Sequence, residues 1–300
     1  MSTSLLSIPI KQKEVDTATS IAYRTLGEGP PLLLLHGHPQ THMIWHKVAP
    51  VLAERFTLVL PDLRGYGRSS KPQGLEDHSN YSKRAMAQDL VTLMHRLGHE
   101  RFAVCAHDRG ARVTHRMLLD HPGCVSRAML LDIAPTLAMY EQTSMDFARA
   151  YWHWFFLIQK APLPERMIEA DIEFYAKSVM ISRHLAPTAF APEAWQDYLE
   201  CLRLPGAIHA LCEDYRAAAS IDLEHDRVSR DAGHKVQCPL HVLWGERGII
   251  ERCFDALTEW RKVAVNVSGQ SLDCGHYIPE EAPQELLAHI NAFFQPEMSV

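Results

Sequence analysis

Phe102-Ala103-Val104-Cys105-Ala106-His107-Asp108-Arg109-Gly110-Ala111-Arg112 decides the fold: an apolar run breaks into a charged turn, and a helix-like segment follows from Ala111 to Asp120. The pattern x-x-Asp-x-Gly at such a strand-to-helix turn is that of a nucleophile elbow, where small flanking residues let a sharp turn hold one side chain clear of the backbone. The chain contains no G-x-S-x-G, so the elbow presents the Asp108 carboxylate where a serine hydroxyl would otherwise stand.

On either side the same rhythm repeats. Short apolar runs at 31–35, 56–60, 128–131 and 240–244, with a weaker one near 263–267, each lead to a loop and then a helix-like segment. That alternation predicts an α/β fold with a mostly parallel, twisted sheet and helices on both faces. The stretch 10–25 reads as an antiparallel pair ahead of it. Ligands of such sheets sit at the carboxyl ends of the strands, so residues just after the runs take priority. Between about Thr136 and His234 the strand rhythm stops in favour of an aromatic, helical stretch that begins with Tyr151-Trp152-His153-Trp154-Phe155-Phe156. We expect core segments 1–135 and 235–300 with a helical cap, 136–234, inserted over the carboxyl edge, where it could exclude water. The alternative is a helical bundle packed elsewhere on the core.

Composition narrows the partners. The 300 residues are 47% hydrophobic and 22% charged with a formal net charge of -6, which suits an ordinary globular protein and lacks the dense basic patch that nucleic acid or an anionic membrane requires. No run approaches the roughly 18 apolar residues of a membrane span, and the N-terminal stretch lacks a signal-peptide pattern, so a cytoplasmic protein is expected. The seven cysteines are scattered without CxxC spacing, and the 18 histidines form no HExxH pair, so neither disulfides, a metal site nor a cofactor is predicted.

Two further runs follow strands: Leu33-Leu34-Leu35-His36-Gly37-His38-Pro39 and Pro61-Asp62-Leu63-Arg64-Gly65-Tyr66-Gly67-Arg68-Ser69. The backbone N–H groups of His38 and Arg109 are placed to form an oxyanion hole. With the elbow and Gly275-His276 near the C-terminus, these runs resemble the α/β-hydrolase family across essentially the whole chain. His276 is then the expected base. In most of that family an acid follows the penultimate strand as G-x-x-D, but here the stretch reads Gly245-Glu246-Arg247-Gly248. Asp132, ending the preceding strand, is the expected third member, with Glu246 the alternative.

A carboxylate nucleophile that attacks a saturated carbon, displacing halide or opening an epoxide, gives an alkyl ester on Asp108, which His276-activated water then hydrolyses. The competing reading makes Asp108 a helix cap in a protein without catalysis. Arg109 and Arg112, three apart on one helix, can converge, hold Asp108 ionised and grip a substrate carboxylate. Alternatively, Arg112 joins Arg116 in a solvated stripe.

The segments 36–40, 107–112, 131–136, Tyr151-Trp152-His153-Trp154 and Asp214-Tyr215-Arg216-Ala217 resemble those of the haloacetate dehalogenases, particularly the fluoroacetate dehalogenases. The resemblance implies Asp108 as nucleophile, His276 and Asp132 as its partners, Arg109 and Arg112 on the substrate carboxylate, and His153, Trp154 and Tyr215 on the halogen. It also implies a homodimer, a small anionic substrate and no cofactor. Without it, His153-Trp154 reads as packing in an aromatic helix. The chain departs from the family where His38 replaces a frequent Phe and Ala106 a frequent Gly, which puts substrate preference at the pocket mouth in doubt. The alternatives are an epoxide hydrolase with the same Asp-His machinery and a non-catalytic small-acid binding protein.

Overall fold

The computed structural model describes residues 4–181 and 189–295. Its eight strands are β1 (Lys11–Glu14), β2 (Ser20–Leu26), β3 (Pro31–Leu35), β4 (Thr57–Pro61), β5 (Phe102–His107), β6 (Val125–Leu131), β7 (Leu240–Gly245) and β8 (Val267–Leu272). They form one sheet in the order β1-β2-β4-β3-β5-β6-β7-β8. The β1/β2 and β2/β4 pairs are antiparallel and all others parallel, as the N-terminal pair and the following runs lead one to expect.

Successive side chains of a strand point to opposite faces, so near-continuous apolar runs serve two cores at once. On β3, Leu33 and Leu35 enter one hydrophobic cluster and Leu32 and Leu34 the other; on β6, Ala128 and Leu130 part from Met129 and Leu131 in the same way. Each fully buried leucine contributes about 1.5–3 kcal/mol, which fixes strand register firmly.

The sequence misplaces one strand. The apolar stretch near 263–267 is mostly a connection: the helix Ala256–Val263 ends where it starts, Ala264 makes an isolated bridge to Val236, and β8 begins only at Val267. The reason is position: β8 is the edge strand, its residues Ser268 to Ser271 alternate between exposed and half-buried, and it has no need of an apolar run.

Between β6 and β7 the described residues form helices and connecting loops without strands; eight helices lie there, from Thr136–Glu141 to Ile221–Asp231. The expected cap span also contains residues 182–188, which lie outside the described residues. No helix among the described residues is long and apolar enough to cross a membrane.

Candidate active site

Strand register assembles the site. Leu35 of β3 pairs with Ala106 of β5, and His107 pairs with Leu131 of β6, so the residues that follow, Gly37, Asp108 and Asp132, emerge side by side at the carboxyl edge. The chain diverges here, β3 leading to β4 on one side while β5 lies on the other, and such switch points open a crevice above the sheet.

Asp108 is the first residue of the helix Asp108–Asp120 and has φ 45°, a left-handed conformation that a non-glycine residue adopts only where its surroundings force it. Two glycines make the turn possible. A Cβ at Gly37 would lie 2.4 Å from the Asp108 Cβ, and one at Gly110 would lie 2.4 Å from the His36 carbonyl oxygen, which accepts the Gly110 N–H at 2.9 Å.

The two carboxylate oxygens of Asp108 face different partners. Oδ1 accepts the His38 backbone N–H at 2.9 Å, and Oδ2 lies 3.9 Å from Nε2 of His276. Burial alone would raise the Asp108 pKa; the charges of His276, His107, Arg112 and Arg109 outweigh it and hold the carboxyl well below the ordinary range.

His276, in the loop after β8, sets its Nδ1 2.5 Å from Asp132 Oδ2. The other oxygen of Asp132 accepts the Gly245 N–H at 2.9 Å. Glu246 is exposed, whereas a Cβ at Gly248 would stand 3.4 Å from Asp132 Oδ1. The carboxylate of Asp132 thus occupies space beside the position where the G-x-x-D pattern would place its acid. His107 Nε2 lies 2.8 Å from the His276 carbonyl oxygen, linking the elbow to the loop after β8.

Both arginines turn inward. Arg109 donates from Nε to Asp214 Oδ2 at 2.8 Å and from Nη2 to Oδ1 and to the Asp214 carbonyl, each at 2.9 Å. Arg112 donates from Nη1 to the Ala134 carbonyl at 3.1 Å and to Thr136 Oγ1 at 3.0 Å, and its Nη2 lies 3.2 Å from Met139 Sδ. Arg116 instead pairs with Asp226 and Asp120, so the stripe reading for Arg112 does not describe the molecule. Among the described residues neither Arg109 nor Arg112 forms an ion pair with Asp108.

Aromatic side chains from the helical segment close over the guanidinium groups. The Arg109 Cζ lies 4.1 Å from the Tyr215 ring centroid and the Arg112 Cζ 4.6 Å from that of Trp154. His153 stacks on His38 at 5.7 Å, and His38 Nε2 lies 3.1 Å from the Tyr175 hydroxyl. The sequence-predicted set, His38, Asp108, Arg109, Arg112, Asp132, His153, Trp154, Tyr215 and His276, is therefore brought to one place, and no member is more than 3% exposed.

Among the described residues Arg109 Nη1, Arg112 Nε and Trp154 Nε1 are buried donors with no protein hydrogen-bond partner, and His276 Nε2, with the ring proton directed to Asp132, is a buried acceptor without one. Buried donors in native structures are nearly always satisfied, so this concentration marks a place built for a ligand rich in acceptors. Tyr140, whose buried hydroxyl also has no partner and whose ring lies 5.1 Å from Trp154, joins the group. Burial pushes its phenol up to about 12, against the pull of Arg109 and Arg112, so at neutral pH it is a donor. Sequence reasoning missed Tyr140, and it assigned no role to Asp214 although it noticed the segment.

A family model described as the alpha/beta hydrolase fold matches residues 30–283. The chain belongs to the α/β-hydrolase family. This hydrolase is 45% identical over 274 residues to a fluoroacetate dehalogenase from Burkholderia sp, with 91% of the present chain and 90% of the relative covered. It is 33% identical over 278 residues to a soluble epoxide hydrolase from Corynebacterium sp. (strain C12), covering 91% and 93%. Among solved structures, an alpha/beta hydrolase from Nostoc sp PCC 7120 superimposes on the hydrolase with a TM-score of 0.94 and 52% identity, covering 97% of this chain and 99% of that one.

Proposed function

We propose that this hydrolase converts a short 2-haloacid, such as a haloacetate, to the 2-hydroxyacid and halide. The observation that carries the reading is the pair Arg109 and Arg112, buried beside Asp108 without pairing to it and each keeping an unpartnered donor. An anion held there would present its α-carbon to the carboxylate. The 45% identity to a fluoroacetate dehalogenase supports the same substrate class.

In the first step Asp108 Oδ2 attacks the α-carbon from the side opposite the halogen. The carbon–halogen bond breaks with its electron pair leaving on the halide, and an ester of Asp108 forms. Fluoride leaves slowly unless donors stabilise the charge that develops on it, and His153, Trp154 and Tyr215 are the groups we assign to that task. In the second step His276 takes a proton from water as the water oxygen attacks Cγ of the ester. Negative charge then grows on Oδ1, which the His38 N–H already contacts and which the Arg109 N–H would join. Collapse of this intermediate expels the hydroxyacid oxygen, which takes the proton held by His276, and the second proton of the water is lost from the Asp108 carboxyl to solvent, regenerating the carboxylate. The helices of 136–234 act as the cap that keeps bulk water away.

An epoxide hydrolase shares the Asp-His steps, and the 33% identity to one keeps that chemistry close. Two buried guanidinium groups favour an anion over a neutral epoxide. Halide release from chloroacetate or fluoroacetate by the wild type, measured against diol formation from a neutral epoxide, tests the choice; diol formation alone would overturn the dehalogenase reading. Arg112→Leu is expected to lower kcat/KM for haloacids by about 10²-fold, the loss of one or two charge-assisted hydrogen bonds, and that for neutral haloalkanes by far less. Equal losses on both would remove the carboxylate clamp.

A further inference from the structure

The two arginines are not equivalent. Among the described residues every hydrogen-bond partner of Arg112 is neutral: the Ala134 carbonyl, the Thr136 hydroxyl and the Met139 sulfur. Its charge is left for Asp108 and for whatever anion enters. Arg109, in contrast, gives three of its five N–H donors to one residue, Asp214, in a side-on fork to the carboxylate plus a bond to the main-chain carbonyl. Among the described residues only Nη1 is left without a protein partner, and it is buried.

Asp214 is itself fixed from outside the site. The Tyr66 hydroxyl donates to its Oδ2 at 2.6 Å, and the Lys83 ammonium donates to its Oδ1. The helix Ala207–Ala218 that carries Asp214 also carries Tyr215, whose ring lies against the Arg109 guanidinium at 4.1 Å. One helix of the inserted segment therefore grips both the edge and the face of the arginine that directly follows Asp108.

We propose that Asp214 is a positioning residue for substrate recognition: it fixes the rotation of Arg109 so that Nη1 faces the substrate carboxylate, while Arg112 supplies the uncompensated charge. This rests on the haloacid reading for the identity of the ligand. A flexible arginine would have to give up its rotamer freedom when substrate binds; here that ordering is complete beforehand. The arrangement also ties the arginine to the inserted segment, because the fork joins the helix Asp108–Asp120 to the helix Ala207–Ala218.

The test separates aim from charge. Asp214→Glu keeps the carboxylate but moves the fork by a methylene. In a His276→Asn background, where the ester on Asp108 accumulates, adduct formation with chloroacetate is followed beside chloroacetamide, a neutral reagent of nearly the same shape. Asp214→Glu is expected to slow the second-order reaction with chloroacetate by about tenfold or more, the worth of one charge-assisted hydrogen bond, and that with chloroacetamide by less than about threefold. It is also expected to weaken glycolate binding, measured by calorimetry, about tenfold. Equal slowing of both reagents makes Asp214 a merely structural residue, and no slowing of either removes it from recognition; both outcomes overturn the proposal. If Asp214→Glu does not fold, Asp214→Asn is read in the same way, with the same selective loss expected. If the Asp214 parent forms no adduct with chloroacetate, it is the ester mechanism at Asp108 that fails, or the dehalogenase reading itself if the wild type also releases no halide, and glycolate affinity alone then decides the role of Asp214.

Discussion

Asp108→Asn is expected to lower halide release from haloacetate by about 10⁴-fold or more, since removing a residue that carries out the bond-making step costs 10⁴–10⁶ in turnover in comparable hydrolytic sites. The amide oxygen at Oδ1 could still accept the His38 N–H, so the elbow would keep its shape while losing the anion that attacks carbon. A protein whose Asp108 only capped the helix would show no such loss. The same environment sets the pH response. Asp108 is held well below the usual carboxylate range, burial being outweighed by His276, His107, Arg112 and Arg109. A group with a depressed pKa stays charged as pH falls until its own low value is reached, so Asp108 remains ionised at mildly acidic pH, and under the proposed mechanism any fall in rate there comes from another group.

Asp132→Asn is expected to leave the first step nearly intact and to slow the second by about 10³–10⁴-fold, because an amide in this place favours the wrong imidazole tautomer. Asp132 Oδ2 lies 2.5 Å from His276 Nδ1, so the ring must carry its proton there and keep Nε2 free to accept one from water. An asparagine can turn its NH₂ toward Nδ1, which places the proton on Nε2 and ends general-base action. The measurement is a rapid-mixing halide assay: one equivalent of halide per site should appear in a burst, followed by near silence. Unchanged steady-state turnover would return the role to another acid, and Glu246 is poorly placed for it, being exposed.

The parts of this site legible in the sequence are those that depend on local pattern. An apolar run followed by His107-Asp108-Arg109-Gly110 has few structural solutions, and the adjacent strand ends then follow from the parallel register. Gly248 in place of the usual acid pointed toward Asp132, and the structure places the two positions next to each other. The pairing of Arg109 with Asp214 was not legible, since the residues are 105 apart and meet only in the folded chain. Lys83 is hidden for the same reason, in a segment whose own pattern says nothing of a site, and Tyr66, although it lies in a run that the sequence singles out, carries no local sign that Asp214 is its partner. Tyr140 reads as one more aromatic residue until its hydroxyl is found buried beside two arginines. β8 was misread because the hydrophobic signal of a strand reports burial, and an edge strand is only half-buried.

The central claim is covalent chemistry at Asp108, and mass spectrometry of the His276→Asn protein tests it most directly. After incubation with chloroacetate or fluoroacetate, the peptide containing Asp108 should gain the mass of one carboxymethyl group, the same for every halogen that is displaced. Wild-type protein treated alike should show halide release and no lasting adduct. An unmodified Asp108 in the variant, with halide still released by the wild type, would contradict the ester mechanism and mean that water attacks the α-carbon directly.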